Sequence, residues 1–329
     1  MANVSLLSLT PNNESHWANP VGILKRCYGK SSSPHHLLIE KVEEADVILL
    51  CDTTINTNFP SDHLFNPIVR QNYSKIIRYS QADSDFHWLR GIYTSLERSR
   101  HECSSLLGGI YLHVSERFPR KPFDITENLP YLFSFFGNSR THSVRRHILQ
   151  LCTLRSRLCD TGDHPGNFSG KSQNVYKEFY SQYLDSLRDS KFILCPRGKC
   201  PSSIRVFEAM KAGRVPVIIS DEWVPPKGPR WEEFCIFIPE SDITFIPEIL
   251  KNKEPEFPEL ARRAQREWSK WFSEDHVWDT VIDWALNILN SGRRVPISIL
   301  IRDFIRWRTW RHGIFSEFNR LIMQHVPIQ

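Results

Sequence analysis

Residues 189–221 constrain the fold of this chain more than any other segment. They read DSKFILCPRGKCPSSIRVFEAMKAGRVPVIISD. The pattern predicts an apolar strand over Phe192–Cys195, a helix from Ser203 to Gly213, and a second strand over Val215–Ser220. The sequence CPRG breaks the chain between the first strand and the helix. This order predicts a βαβ unit, which requires a parallel sheet.

The turn between the first strand and the helix is suited to an anion. The exposed N–H groups and the positive dipole end of a helix both point at such a turn. Arg197, Lys199 and Arg205 flank it, and Ser202 or Ser203 is expected to cap the helix. An arginine in a first helical turn opposes the helix dipole unless an anion binds there. The sequence therefore predicts a diphosphate site.

Glu208 lies three residues after Arg205, so the two side chains share a helix face. One interpretation is a surface ion pair worth a few tenths of a kcal/mol. The other is that Glu208 accepts hydrogen bonds from ribose hydroxyls beside a diphosphate. The second interpretation follows from the predicted anion site.

A second loop also connects the end of a strand to an arginine-rich helix start. The segment YLFSFFGNSRTHSVRRHIL runs from a strand through Gly137 into a helix that Thr141 or Ser143 is expected to cap. Arg140, Arg145 and Arg146 cluster at the start of this helix. Two arginine-rich turns of this kind in one domain predict nucleotide binding.

The 329 residues have room for two domains. We predict a first domain over residues 1–127, a second over residues 128–290 and a helical tail over residues 291–329. The expected elements of the first domain are an irregular segment before residue 35, a helix over Leu37–Ala45, a helix over Ser61–Gln71, and strands over Asp46–Cys51, Lys75–Tyr79 and Gly109–Val114. Those of the second are strands over Tyr131–Phe136, Ser156–Cys159 and Phe234–Ile238, and helices over Val144–Cys152, Val175–Asp189, Ile243–Lys251 and Pro258–Asn290. This alternation predicts parallel sheets covered by helices.

Composition narrows the function classes. The net charge of +5 is mild and fits a protein that handles anionic ligands; nucleic-acid binding would need a clustered basic stripe as well and is not expected. The eight cysteines form no CxxC pair, so no zinc site is expected. No apolar run reaches the roughly 18 residues of a membrane span, and no signal peptide is evident, so a cytoplasmic location is expected. The basic, aromatic tail over Ile297–Ile322 either packs across the domains or contacts a membrane surface as an amphipathic helix.

Residues 131–285 resemble the exostosin family of glycosyltransferases. The matching pieces are SFFGNSRTHSVRRHIL, the CPRG of Cys195–Gly198, SIRVFEAMKAGRVPVIISD and WEEFCIFIPESDITFIPEIL. The first half resembles the family more loosely, through GIYTSL at Gly91–Leu96 and the later GGIYLH. The resemblance implies a GT-B architecture, in which two Rossmann-like domains face a cleft and the second binds the donor nucleotide. It also implies an inverting transfer from a nucleotide-diphosphate sugar, with uridine as the base, to a saccharide acceptor.

By position, the resemblance assigns donor-binding roles to several residues. Arg205 and Glu208 match the family's donor-binding arginine and glutamate, Arg145 matches an arginine that contacts the diphosphate, and Lys199 matches a basic residue of the loop. The candidate donor-binding residues are Gly137, Arg140, Arg145, Arg197, Lys199, Ser203, Arg205 and Glu208. No cofactor is expected beyond the donor itself, and no metal, because positive side chains can stabilise the departing diphosphate.

An inverting transfer also needs a base for the acceptor hydroxyl. The first domain is expected to supply it from a strand end that faces the cleft. Asp52 ends the most apolar strand there, and Asp83 and Asp85 follow the next predicted strand; each could instead cap a turn. His63 and His87 are weaker candidates.

Two other functions are open at this point. The chain could be a catalytically inactive partner that binds a nucleotide sugar beside an active glycosyltransferase. It could also be a Rossmann-type enzyme that uses a dinucleotide, but such an enzyme would need a GxGxxG turn, and the sequence has none.

Overall fold

The computed structural model describes residues 1–9, 19–51, 66–83, 86–100, 104–114, 121–162 and 173–306. Two parallel sheets dominate it. The first contains β1 (Asn3–Leu7), β2 (Leu37–Leu38), β3 (Val47–Leu50), β4 (Ile76–Ser80), β5 (Gly91–Tyr93) and β6 (Leu106–Gly108), in the order β2-β1-β3-β4-β5-β6. The second contains β7 (Tyr131–Gly137), β8 (Ser156–Asp160), β9 (Ser190–Pro196), β10 (Val215–Ile219) and β11 (Ile236–Phe237), in the order β11-β10-β9-β7-β8. The predicted α/β class and the GT-B-like pair of Rossmann-like domains are confirmed.

Helices cover both sheets. Those described in full are α1 (Pro20–Lys30), α2 (Pro67–Gln71), α3 (Ser143–Leu149), α4 (Gln173–Arg188), α5 (Ile204–Ala212), α6 (Ile246–Lys253), α7 (Phe257–Trp271) and α8 (Val277–Asn290). The predicted βαβ unit is β9–α5–β10. The strands β9 and β10 pair in parallel, with Phe192 opposite Val215, and α5 ends at Gly213 in the left-handed conformation, with φ of 70°, that favours glycine.

Several elements of the first domain differ from the prediction. The helix over Leu37–Ala45 is wrong, because Leu37 and Leu38 pair with β1. Residues 1–35 contain β1 and α1, where an irregular segment was expected. The strand over Gly109–Val114 is also wrong: the strand is β6, and residues 109–114 continue past its carboxyl end. For the strands β1, β2 and β6, pairing with a strand distant in sequence decides the structure, and local pattern does not contain that information.

The helix expected over Pro258–Asn290 is two helices, α7 and α8, separated by a turn at residues 272–276. This break allows α8 to leave the second domain and pack on β3, β4, β5 and β6. The indole nitrogen of Trp278 donates to the carbonyl of His36 at 2.9 Å, and Asp279 accepts from the backbone N–H groups of His35 and His36. The end of the chain's second half is thereby fixed to the first domain. The predicted domain bounds stay a prediction.

Residues 297–306 are helical and carry the described start of the tail. Ile299 is buried, and the buried Asp303 carboxylate accepts from the backbone N–H of His87 at 2.5 Å. Ile297, Ile301 and Ile305 are exposed. Within the described part of the chain, no helix is both long and apolar enough to cross a bilayer. Contact of the tail with a membrane and the cytoplasmic location stay predictions.

An ion-pair network fixes the start of β9. The Glu254 carboxylate accepts from Arg155 at 2.5 and 2.9 Å and from the buried Lys191 ammonium at 2.7 Å. The hydrogen bonds from Arg155, with those from Lys191, lower the pKa of Glu254 to about 2. Because this pKa is depressed on folding, the network stabilises the protein above the ordinary carboxyl pKa of 4.5, and the stabilisation is lost as the pH falls toward 2.

We therefore expect Glu254→Gln to lower the free energy of unfolding at pH 7 by about 1–2 kcal/mol, after allowance for solvent screening. Urea denaturation should show the deficit shrinking as the pH falls from 5 to 3. Glu259→Gln, on the exposed surface of α7, is the matched control and should show little change. A deficit in Glu254→Gln that is constant across this pH range would contradict the assignment.

Candidate active site

A cavity of about 460 Å³ lies between the two domains. Its walls come from segments that follow the carboxyl ends of β4, β6, β7, β8 and β9, and from α4 and α5. This is the edge at which open parallel sheets bind ligands. The lining residues are Asp83, Tyr111, His113, Phe136, Thr141, Arg145, Thr161, Tyr180, Tyr183, Gly198, Lys199, Cys200, Ser202, Ser203, Ile204, Arg205 and Glu208.

Backbone carbonyls hold the guanidinium of Arg145 at the cavity wall. Its Nε donates to the carbonyl of Arg197 at 2.8 Å, and its Nη2 donates to that of Pro196 at 3.3 Å. The side chain is buried. Burial, together with repulsion from Arg205, lowers the pKa of Arg145 to about 9. A bound anion would relieve both effects, because it would supply the opposite charge that the carbonyls supply only in part.

Arg205 approaches the same cavity from the first turn of α5. Its Nε donates to the carbonyl of Phe136 at 2.5 Å, and its guanidinium lies over the ring of Phe135 at 5.3 Å from the centroid. Neither contact neutralises its charge. The two arginines therefore present two positive groups to one cavity, as the diphosphate prediction requires.

Two glycines leave room for these arginines. A Cβ on Gly137 would lie 2.7 Å from the Phe135 ring and 2.8 Å from Nη2 of Arg205, and a Cβ on Gly198 would lie 2.9 Å from Nη2 of Arg145. Gly198 lines the cavity, whereas Gly137 acts behind it by allowing Arg205 to cross the end of β7. The glycine that follows or ends each of these strands in the sequence therefore has a steric role.

The amino end of α5 adds further hydrogen-bond donors to the cavity wall. Ser203 caps the helix, but its side chain makes no capping hydrogen bond. Its hydroxyl is buried and has no hydrogen-bond partner among the described residues. The first N–H groups of a helix generally lack an intrahelical acceptor; here the N–H of Val206 is satisfied, because it donates to the carbonyl of Ser203 at 3.1 Å. The hydroxyl, the other first-turn N–H groups and the two guanidinium groups are donors for an anion in the cavity.

Glu208 lines the cavity one turn after Arg205 and accepts a hydrogen bond from the hydroxyl of Tyr183 on α4. Lys199 also lines the cavity, with an exposed side chain. The donor-binding role assigned to each of these residues stays a prediction. The structure brings Arg145, Lys199, Ser203, Arg205 and Glu208 together from separate elements.

Besides Gly137, two more of the predicted donor-binding residues, Arg140 and Arg197, lie outside the cavity lining. Arg197 has its guanidinium 3.6 Å from the Glu240 carboxylate and does not line the cavity; it contributes its carbonyl to Arg145. Arg140 is exposed outside the cavity lining. The cap of α3 is also not the one expected: His142, not Thr141 or Ser143, accepts from the N–H of Val144 through Nδ1. An imidazole can accept in this way when it is neutral, and burial and Arg197 lower the pKa of His142.

The first domain provides the opposite wall. Asp83 lies beyond the end of β4, and Tyr111 and His113 lie beyond the end of β6. The Tyr111 hydroxyl is 3.2 Å from the Cys200 sulfur, and that thiol is 3.7 Å from the Asp83 carboxylate. Asp52, Asp85 and His63 lie outside the described residues. His87 is buried and contacts the tail helix.

Sequence reasoning missed the aromatic part of the lining, which comprises Tyr111, Phe136, Tyr180 and Tyr183. Tyr111 and Phe136 were assigned to strands, where apolar residues are usually core. Tyr180 and Tyr183 are three apart on a helix and read as a packing face. The useful signal was position: Phe136 and Tyr111 both lie at or beyond the carboxyl end of a strand.

Residues 110–253 match the model of the Exostosin GT47 domain. This segment is therefore similar to that family over somewhat less than half of the chain. The chain is 37% identical over 89 residues to the exostosin-1 homolog of Caenorhabditis elegans, a match that covers 25% of this chain and 23% of that protein. It is 34% identical over 85 residues to the probable beta-1,4-xylosyltransferase IRX10L of Arabidopsis thaliana, covering 25% of this chain and 20% of that protein. The matched segment therefore spans less than a quarter of the length of these relatives.

Among solved structures, the glycosyltransferase from Rickettsia africae is similar over 87% of this chain and 98% of that one, at 10% identity and a TM-score of 0.44. The exostosin resemblance predicted from the sequence is confirmed by the family match. The matched segment contains most of the cavity lining, from Tyr111 to Glu208.

The steric role of Gly137 can be tested directly. In Gly137→Ala the new Cβ would meet the Phe135 ring at 2.7 Å and the Arg205 guanidinium at 2.8 Å. Because both groups would have to shift, and the Arg205 guanidinium lies over the Phe135 ring, we expect the affinity for UDP to fall about tenfold, the value of one charge-assisted hydrogen bond. Isothermal titration calorimetry measures the change. Gly29→Ala is the control, because a Cβ on Gly29 meets nothing within 4 Å. An unchanged affinity in Gly137→Ala, with the fold intact, would contradict the role.

Proposed function

We propose that this chain is an inverting glycosyltransferase that transfers a sugar from a uridine-diphosphate sugar to a saccharide acceptor. The observation that carries the proposal is the convergence of Arg145, Arg205, Glu208 and the amino end of α5 on one cavity. The exostosin GT47 domain and the relatives named as exostosin and xylosyltransferase proteins support a sugar as the transferred group.

The second domain binds the donor in this proposal. The diphosphate lies between the guanidinium groups of Arg145 and Arg205 and accepts from the first-turn N–H groups of α5. Glu208 accepts from the ribose hydroxyls. As the bond between the anomeric carbon and the diphosphate breaks, negative charge develops on the leaving oxygen, and the two arginines and Lys199 stabilise it.

The first domain supplies the acceptor side. Asp83 is the proposed base. Of the three aspartate candidates it is the one that lies among the described residues, and it is on the cavity wall. The acceptor oxygen attacks the anomeric carbon from the face opposite the diphosphate and transfers its proton to the carboxylate. The nucleoside diphosphate leaves, and the configuration at the anomeric carbon inverts.

Arg205→Ala tests the donor site. Removal of one guanidinium from a diphosphate site should weaken UDP binding by about tenfold to a hundredfold. The melting temperature should change little. Arg266→Ala, on the exposed face of α7, is the matched control for loss of an arginine. Equal UDP affinity in Arg205→Ala and wild type, measured by calorimetry, would remove Arg205 from the site.

Asp83→Asn tests the chemistry. The variant should bind UDP as the wild type does but release UDP from a UDP-sugar at least about a hundredfold more slowly in the presence of the acceptor. Asp275→Asn, at an exposed position, is the control.

The release assay first screens UDP-sugars against a panel of oligosaccharides. Wild-type protein that binds UDP but transfers no sugar in this screen would favour the alternative function, a catalytically inactive nucleotide-sugar-binding partner of an active enzyme. Full turnover in Asp83→Asn would leave Asp52 and Asp85 as the base candidates.

A further inference from the structure

The contact between Tyr183 and Glu208 joins two helices at the cavity wall. Tyr183 lies on α4, Glu208 lies on α5, and the phenol oxygen donates to the carboxylate. Both side chains line the cavity. The bond therefore lies within the site and not behind it.

The direction of this hydrogen bond is fixed. Burial, with the adjacent Glu208 carboxylate, raises the pKa of Tyr183 well above 10. The phenol consequently keeps its proton at physiological pH and acts as the donor. Glu208 is then the acceptor, and a carboxylate has about four lone-pair directions, so it can accept further hydrogen bonds on the same two oxygens.

The ring of Tyr183 is itself positioned. Its centroid lies 6.0 Å from that of Phe136, with the planes tilted by 47°. Phe136 also provides the carbonyl that accepts from Arg205. The end of β7 thus orients Arg205 directly and, through the ring of Tyr183, Glu208. The diphosphate and ribose portions of a nucleotide would be placed by the same strand end.

We propose that Tyr183 is a positioning residue that sets selectivity for ribose. By donating to Glu208, it holds the carboxylate in the orientation that accepts from the ribose hydroxyls of a nucleoside diphosphate. The proposal rests on the proposed function, because it assumes that the cavity binds such a nucleotide. Tyr183 itself takes no part in the transfer.

The experiment compares the affinities of UDP and 2′,3′-dideoxy-UDP, which lacks both ribose hydroxyls. The measured quantity is the ratio of the two dissociation constants. We expect wild type to prefer UDP, and Tyr183→Phe, which keeps the ring, to reduce this preference about fivefold to tenfold, in line with loss of a hydrogen bond to a charged group. The affinity for dideoxy-UDP should change little. Tyr28→Phe on α1, away from the cavity, is the matched control.

A double-mutant cycle provides the second measurement. Glu208→Gln should itself reduce the preference for UDP, and adding Tyr183→Phe to that variant should reduce it no further, because both changes act through one group. Additive losses would overturn the proposal, as would a Tyr183→Phe variant that keeps the full preference.

The two proposals fail in different ways. Wild-type protein that binds neither nucleotide would overturn the proposed function and this inference with it. Wild-type protein that binds both nucleotides equally would overturn only the inference that Glu208 and Tyr183 select for ribose. A melting curve for each variant separates a loss of selectivity from a loss of fold, and the Glu208→Gln result applies even if Tyr183→Phe is unstable.

Discussion

The site depends on two guanidinium groups held close together at the edge of a parallel sheet. Arg145 is buried and bound to the carbonyls of residues 196 and 197, and Arg205 is bound to the carbonyl of Phe136. Carbonyl dipoles offset part of the cost of burying positive charge but do not remove it. The remaining cost is the desolvation of the Arg145 guanidinium and, after it, repulsion from Arg205; both lower the pKa of Arg145. In the proposed function, a diphosphate would offset this cost by bringing negative charge to the two guanidinium groups.

The parallel sheets explain why such groups can converge. Each crossover returns the chain to the same end of the sheet, so every strand delivers the following loop to the same edge. In the second domain β7 delivers Arg145 and β9 delivers Arg205, with Glu208 one turn further along the helix. Because glycine has no side chain, Gly137 leaves room for the guanidinium of Arg205, and Gly198 leaves room for that of Arg145. The parallel topology therefore brings these side chains together at one edge of the sheet.

The position of the cavity wall that the first domain supplies depends on contacts between the two halves of the chain. The turn after α7 sends α8 back across to the first sheet, where Trp278 and Asp279 are fixed to the backbone of residues 35 and 36. An isolated bridge between Glu97 and Trp223 is a further connection between the halves of the chain. These contacts hold Asp83 and Tyr111 opposite Arg145 and Arg205. They make the cavity a property of the whole chain and not of the GT47 segment alone.

The sequence alone determined the second sheet, the βαβ unit and the arginine-rich turns, because those signals are local: apolar strands, a Ser-capped helix and a Gly213 end that requires positive φ. Tertiary structure decided the rest. It placed Leu37 in a strand through its pairing with β1, turned Arg197 to Glu240 and made Tyr183 a partner of Glu208. These outcomes depend on neighbours far away in the chain, and local periodicity carries no information about such neighbours.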